Sequence, residues 1–271
     1  MHPDISEFSY GYALTEALVN LSSGSLRAAP IFPSLVEEGR SGGGYDVCIP
    51  FPGFPLFLQF KLSHRMIRKT AAEIQKGFLT KPFYRMHLRP TKHSQQHPML
   101  LSLEKSGAAV YYAAPYFHTP KELNEAYTTS TVIQRSIFIK PSSIGALPDD
   151  GDHHIAFKRG SPSYLCSEDP RTIKGRSEPE IFLDDLRNNN VKREQLSPTR
   201  ESAEAWANRL EKVIRTHRAG IGWVSDNTLG ALRDRDPLTR FKYLARTFFG
   251  CDVILVAPAK ISSDESKSKL S

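Results

Sequence analysis

The run Leu56-Phe57-Leu58-Gln59-Phe60-Lys61-Leu62 constrains this chain more than any other stretch. Five of its seven residues are large and apolar, and Pro50-Phe51-Pro52-Gly53-Phe54-Pro55 before it reads as a turn. An apolar run this short, bounded by turn residues, reads as a strand. Gln59 and Lys61 lie two apart and therefore project from one face of it. A lysine in such surroundings stays out of the core unless it has a partner or a task. Upstream, Glu37–Gly44 is a glycine-rich turn and Tyr45-Asp46-Val47-Cys48-Ile49 reads as another strand. The short connection makes the two strands antiparallel, an expected hairpin over 45–62. Asp46 then faces Lys61, either in an ordinary cross-strand ion pair or as part of a site.

The rest of the chain alternates helical and strand patterns. Helices are expected over 7–21 with Ser6 as N-cap, 66–80, 95–106, 120–127 capped by Thr119, 178–188, 200–218 and 228–249. Strands are expected at 29–36, 108–114, 136–140, 155–158, 164–166 and 252–256. On a helical wheel Tyr10, Leu14, Ala17, Leu18 and Leu21 form one stripe with Glu7 in its middle, whereas Glu16 falls on the polar side. An acid inside an apolar stripe calls for a reason. The pattern gives a mixed α/β single domain over 1–260 with a helical C-terminal elaboration from about 151, and the tail 261–271 reads as disordered.

Charge is unevenly spread. The chain carries a net +7, with a sequence pI near 9.3. Residues 1–60 hold two basic and six acidic side chains, whereas residues 61–92 hold nine basic ones and only Glu73 as an acid. Phe78, Phe83 and Tyr84 are interleaved with that basic segment, as suits the grip on a nucleic-acid backbone and its bases. A solvated basic helix and loop would look the same. No apolar run approaches the roughly 20 residues of a membrane span, and the N-terminus lacks the pattern of a secretory signal. Cys48, Cys166 and Cys251 are far apart and odd in number, which points away from a disulfide framework and towards a reducing, cytoplasmic setting.

An acid on a first helix, an Asp at the start of a strand and Gln-x-Lys on the next resemble the PD-(D/E)xK nuclease superfamily, over roughly residues 5–115. Tyr45 stands where that family has proline, and Gln59 stands where it commonly has a second acid. The resemblance implies a restriction-endonuclease-like core over about 5–150, a mixed central sheet flanked by helices. It implies phosphodiester hydrolysis with Mg²⁺ or Mn²⁺, held by Asp46, Glu7 and Gln59, with the Phe60 carbonyl as a further oxygen. Asp46, Gln59, Lys61 and Glu7 are then the catalytic set. His64, Arg65, Arg68, Lys69, Lys76, Lys81 and Arg85 are the nucleic-acid contacts, with DNA as the expected polymer. The resemblance also implies a setting in prokaryotic restriction or antiviral defence, and self-association or a defence-complex partner. A catalytically inactive subunit that keeps the fold and binds nucleic acid or protein is the alternative, and Gln59 favours it because a neutral amide is a poorer Mg²⁺ ligand than a carboxylate.

Other candidates carry less. His87, His93 and His97 lack the flanking ligands of a zinc site and read as surface histidines. His153-His154 reads as a polar turn entering a strand, where adjacent side chains point oppositely. Gly39–Gly44 lacks the Gly-Lys-Ser/Thr ending of a nucleotide-binding loop. The basic, apolar-striped stretch 229–249 reads as a packing helix.

Overall fold

In the computed structural model the chain runs α1 (Glu7–Leu21), β1 (Phe54–Phe60), β2 (His64–Met66), α2 (Ala72–Gln75), β3 (Phe83–Leu88), α3 (Gln96–Lys105), β4 (Ala109–Pro115), α4 (Pro120–Thr128) and β5 (Ser136–Ile139). It continues with α5 (Pro141–Ile144), β6 (His153–Phe157), β7 (Tyr164–Cys166), β8 (Arg171–Thr172), α6 (Pro179–Lys192), α7 (Arg200–Thr216), α8 (Pro237–Phe249) and β9 (Asp252–Val256). The structure describes residues 1–21, 54–167, 170–175, 177–192, 200–217, 229–249 and 252–256. The expected strands at 29–36 and 45–49, Asp46 and the tail 261–271 lie outside them. Among the described residues no helix is long and apolar enough to cross a membrane.

Two sheets share the interior. The first has the order β5-β4-β1-β9, with β1 parallel to β4 and the other pairs antiparallel. The second, β2-β3-β6-β7-β8, is antiparallel throughout. Leu56–Leu58 pair with β4 on one edge and with β9 on the other, while 45–49, the first strand of the expected hairpin, lies outside the described residues. Strands from after residue 150 join both sheets: β6 extends the sheet begun by β2 and β3, and β9 pairs with β1.

Alternation along β1 splits the core in two. Phe57 faces α3, α7 and α8, packing edge-on to Phe241 at 5.6 Å between ring centroids. Leu56, Leu58 and Phe60 face α1, against Tyr10, Leu14 and Leu18. Burying each of these side chains contributes roughly 1.5–3 kcal/mol. Gly11 lets α1 approach closely, because a Cβ there would lie 2.8 Å from the Phe60 ring. The Ser9 N–H donates to Ser6 Oγ, which caps the helix. Thr119 and Glu122 complete a reciprocal capping box on α4.

The expected helix over 66–80 is overturned. Met66 ends β2, paired with Phe83, and only Ala72–Gln75 is helical before Gly77 adopts φ 75°. Strand β3, unexpected from the sequence, occupies part of the basic segment. Its Met86 and Leu88 face the main core, while Arg85 and His87 alternate to the other side.

Candidate functional site

Gln59 and Lys61 meet at the C-terminal end of β1, and both are buried, at 6% and 8% exposure. The Lys61 backbone N–H donates to the Ala113 carbonyl (2.9 Å), carrying the β1–β4 ladder one residue past the strand. Both side chains converge on Gln96, the first residue of α3. Lys61 Nζ donates to Gln96 Oε1 (3.3 Å), and Gln96 Nε2 donates to Gln59 Oε1 (2.7 Å) and to the Phe249 carbonyl at the end of α8 (3.3 Å). Gln59 Nε2 in turn donates to the Phe60 carbonyl at 3.1 Å. One carboxamide thus joins β1, α3 and α8 around a buried ammonium. Two residues on, Ser63 Oγ is buried with no hydrogen-bond partner among the described residues.

Of the four residues expected to form the catalytic set, Gln59 and Lys61 lie here, and Gln96 was not among them. Nothing local marked Gln96, because its role arises from β1 and the start of α3 meeting across 37 residues of chain. Glu7 is corrected. It is exposed on α1, which covers the Leu56/Leu58/Phe60 face, and no hydrogen bond or ion pair joins it to Gln59 or Lys61. The apolar stripe itself holds at Tyr10, Leu14 and Leu18, but Leu21 is exposed, so the helix ends leave the core before reaching Glu7 or Leu21. Glu16, half-buried, accepts the Tyr127 hydroxyl instead. Asp46 lies outside the described residues. Of the expected metal ligands among the described residues, Gln59 Oε1 accepts from Gln96, and the Phe60 carbonyl accepts from Gln59.

The basic segment divides by environment. Arg68, Lys69, Lys76 and Lys81 are exposed around the β2–β3 connection, with no ion pair among the described residues. Arg65 is half-buried, with its backbone joined to Met1 and its Nε unpartnered among the described residues. Arg85 is corrected from a phosphate contact to an internal ion-pair partner. Its Nε and Nη2 donate to both oxygens of Glu73 at 2.8 and 2.5 Å. His154 Nε2 reaches the same carboxylate at 2.9 Å. Burial alone would raise the Glu73 pKa, but the bonds from His154 and Arg85 outweigh it and hold the carboxyl down at about 2. His64 is held neutral: burial, then the neighbouring imidazoles His87 and His2, push its pKa down to about 4, so it brings no positive charge to a phosphate.

Glu73, His154 and Cys166 place one ligand atom each within 4.8 Å of one another. Without an ion, Glu73 bonds to Arg85 and His154, and burial pushes the Cys166 thiol up to about 12. His97, expected on the surface, is buried, and its ring nitrogens bond to the Tyr112 hydroxyl (3.0 Å) and the Gly145 carbonyl (2.7 Å). His153 and His154 do point oppositely, His153 inward to Ser167 and His154 to Glu73.

A second charged cluster was hidden in the C-terminal helices. Glu211 on α7, buried, is surrounded by Arg215, Arg233 and Arg240. Burial opposes its charge, yet the three guanidinium groups hold its pKa down at about 2. Arg240, on the stretch read as a packing helix, is itself buried. Compared with protein-family models, with curated proteins and with solved structures, the chain matches none.

Proposed function

We propose that this chain is a metal-dependent nuclease that hydrolyses phosphodiester bonds of DNA at the C-terminal end of β1. The observation that carries the reading is a lysine buried to 8% exposure, two residues after a buried glutamine and hydrogen-bonded with it to one carboxamide. Burying an ammonium is costly, and a short strand end that keeps one is suited to a chemical task. Asp46 and Gln59 would hold the Mg²⁺ or Mn²⁺ ion, which when bound neutralises developing phosphate charge and lowers the pKa of its water. Lys61 orients the attacking water or stabilises charge on the phosphate, and Gln96 fixes the Lys61 ammonium in position. The exposed Arg68, Lys69, Lys76 and Lys81 supply the salt-dependent grip on the polymer backbone.

A second reading, a nuclease-fold subunit that binds nucleic acid or a protein partner without cutting, is favoured by the exposure of Glu7 and by the neutral Gln59. The two are separated by cleavage of plasmid DNA in Mg²⁺ or Mn²⁺ by wild type, Asp46→Ala and Gln59→Glu. Cleavage lost in Asp46→Ala and retained or increased in Gln59→Glu supports the nuclease. Salt-sensitive DNA binding with no cleavage in any of the three supports the non-catalytic subunit.

A further inference from the structure

The antiparallel pairing of β6 with β7 sets His154 directly opposite Cys166, so both side chains leave the same face of the five-stranded sheet. The short α2 lies over that face, where Ile74 packs with Ala71, Leu79, Phe83, Ala156 and Cys166. This packing holds Glu73 inward, at 2% exposure. Glu73 Oε1 meets His154 Nε2 at 2.9 Å. One ligand atom from each of Glu73, His154 and Cys166 lies within 4.8 Å of the other two, and among the described residues no other three His, Cys, Asp or Glu side chains come so close. Cys166 Sγ donates to the Tyr164 carbonyl at 3.8 Å, a weak, long bond that is easily exchanged for a metal. His154 is half-buried, which leaves an ion a path from solvent.

Tetrahedral Zn²⁺ binds imidazole nitrogen and carboxylate oxygen at about 2.0–2.2 Å and thiolate sulfur at about 2.3 Å, which sets neighbouring ligand atoms roughly 3.3–3.6 Å apart. The three atoms here need to shift by no more than about 1.5 Å to reach that spacing. A nitrogen, a sulfur and an oxygen together suit Zn²⁺ and Co²⁺, whereas Mg²⁺ and Ca²⁺ want oxygen alone. We propose that Glu73, His154 and Cys166 bind one divalent transition-metal ion of the zinc class, with the fourth position open to water. On binding, Cys166 gives up its thiol proton to solvent, and the neutral His154 ring carries its proton on Nδ1. Thiolate and carboxylate then balance the two charges of the ion, and Arg85 stays bonded to Glu73 Oε2 through Nη2. The site shares no residue with Asp46, Gln59 and Lys61 and needs no nuclease activity.

The test is titration of the metal-free full chain with Co²⁺, read by thiolate-to-cobalt charge transfer in the near ultraviolet, followed by Zn²⁺ competition. One equivalent of Co²⁺ should bind with that band, be displaced by Zn²⁺ and resist a large excess of Mg²⁺. Cys166→Ser should abolish the band, which separates Cys166 from Cys48 and Cys251. Cys166→Ser, His154→Gln and Glu73→Gln should each weaken binding by at least about 10–100-fold, the loss expected when even a group that supports a ligand is removed. His93→Gln, at an exposed histidine outside the cluster, leaves binding unchanged. Metal-free thermal unfolding checks that each variant folds, and Zn²⁺ should raise the unfolding midpoint of wild type. The proposal is overturned if wild type takes up no Co²⁺ or Zn²⁺ at micromolar concentration, if Zn²⁺ leaves its unfolding midpoint unmoved, if Mg²⁺ displaces Co²⁺ at equal concentration, or if folded Cys166→Ser keeps the charge-transfer band. DNA cleavage is not a readout, so this result and that of the nuclease assay are independent.

Discussion

Two buried polar clusters lie on either side of the short loop from β1 to β2, and they differ in the group at the hub. In one, the carboxylate of Glu73 takes two hydrogen bonds from Arg85 and one from His154. In the other, the uncharged carboxamide of Gln96 receives Lys61 and holds Gln59. Lys61 is buried where Arg85 is half-buried, yet its bond to the hub is longer and ends on a neutral oxygen. Removing one partner of the Glu73 cluster would leave buried charge uncompensated. The Lys61 ammonium, met by an amide at its hub, is the group proposed for the chemistry.

The largest expected effect breaks that contrast or sharpens it. Lys61→Met should lower DNA cleavage by about 10²–10⁴-fold, and methionine keeps most of the side-chain volume at the buried position. Glu73→Ala should act on stability instead. It strands Arg85 and His154 and costs about 3 kcal/mol, near the low end for a broken buried pair because Arg85 keeps some access to water. Cleavage per folded molecule should persist. Urea unfolding together with single-turnover cleavage checks both variants.

The carboxylate clusters also set an acid limit. Glu73 and Glu211 titrate at about 2 in the folded chain, below the 4.5 of an unconstrained glutamate. Their folded pKa is depressed, so the unfolded chain binds protons first as pH falls. The stability they contribute is therefore complete above about 4.5 and lost as pH falls through about 2. Unfolding midpoints between these limits should fall less steeply in Glu73→Gln and in Glu211→Gln than in wild type. Gly11→Ala should cost about 1–3 kcal/mol by driving a methyl into the Phe60 ring. Gln96→Ala comes last, at about 1 kcal/mol. It should also slow cleavage without raising KM, because Lys61 loses its orientation rather than its charge.

Local pattern was legible where one period governed a whole element. Glu7–Leu21, Gln96–Lys105, Pro120–Thr128 and Asp252–Val256 fall within a residue or two of their expected bounds. The helix expected over 66–80 shrinks to Ala72–Gln75, and beyond it Phe83, Met86 and Leu88 reach the core from a strand, so tertiary packing decided the matter. Linear charge misled in the same stretch. Arg85 is neutralised across 12 residues by Glu73, while Arg215, Arg233 and Arg240 gather on Glu211 only after folding. At the site, Gln59 and Lys61 followed from strand alternation. Gln96 did not, because a hub made by two distant elements leaves no spacing to read.

The most direct measurement is the single-turnover rate of plasmid cleavage in Mg²⁺ by wild type and by Lys61→Met at matched folded fraction. Nicked or linear product from wild type and none from Lys61→Met over the same interval is the predicted result. Equal rates from the two proteins would contradict the assignment of Lys61 to the chemistry.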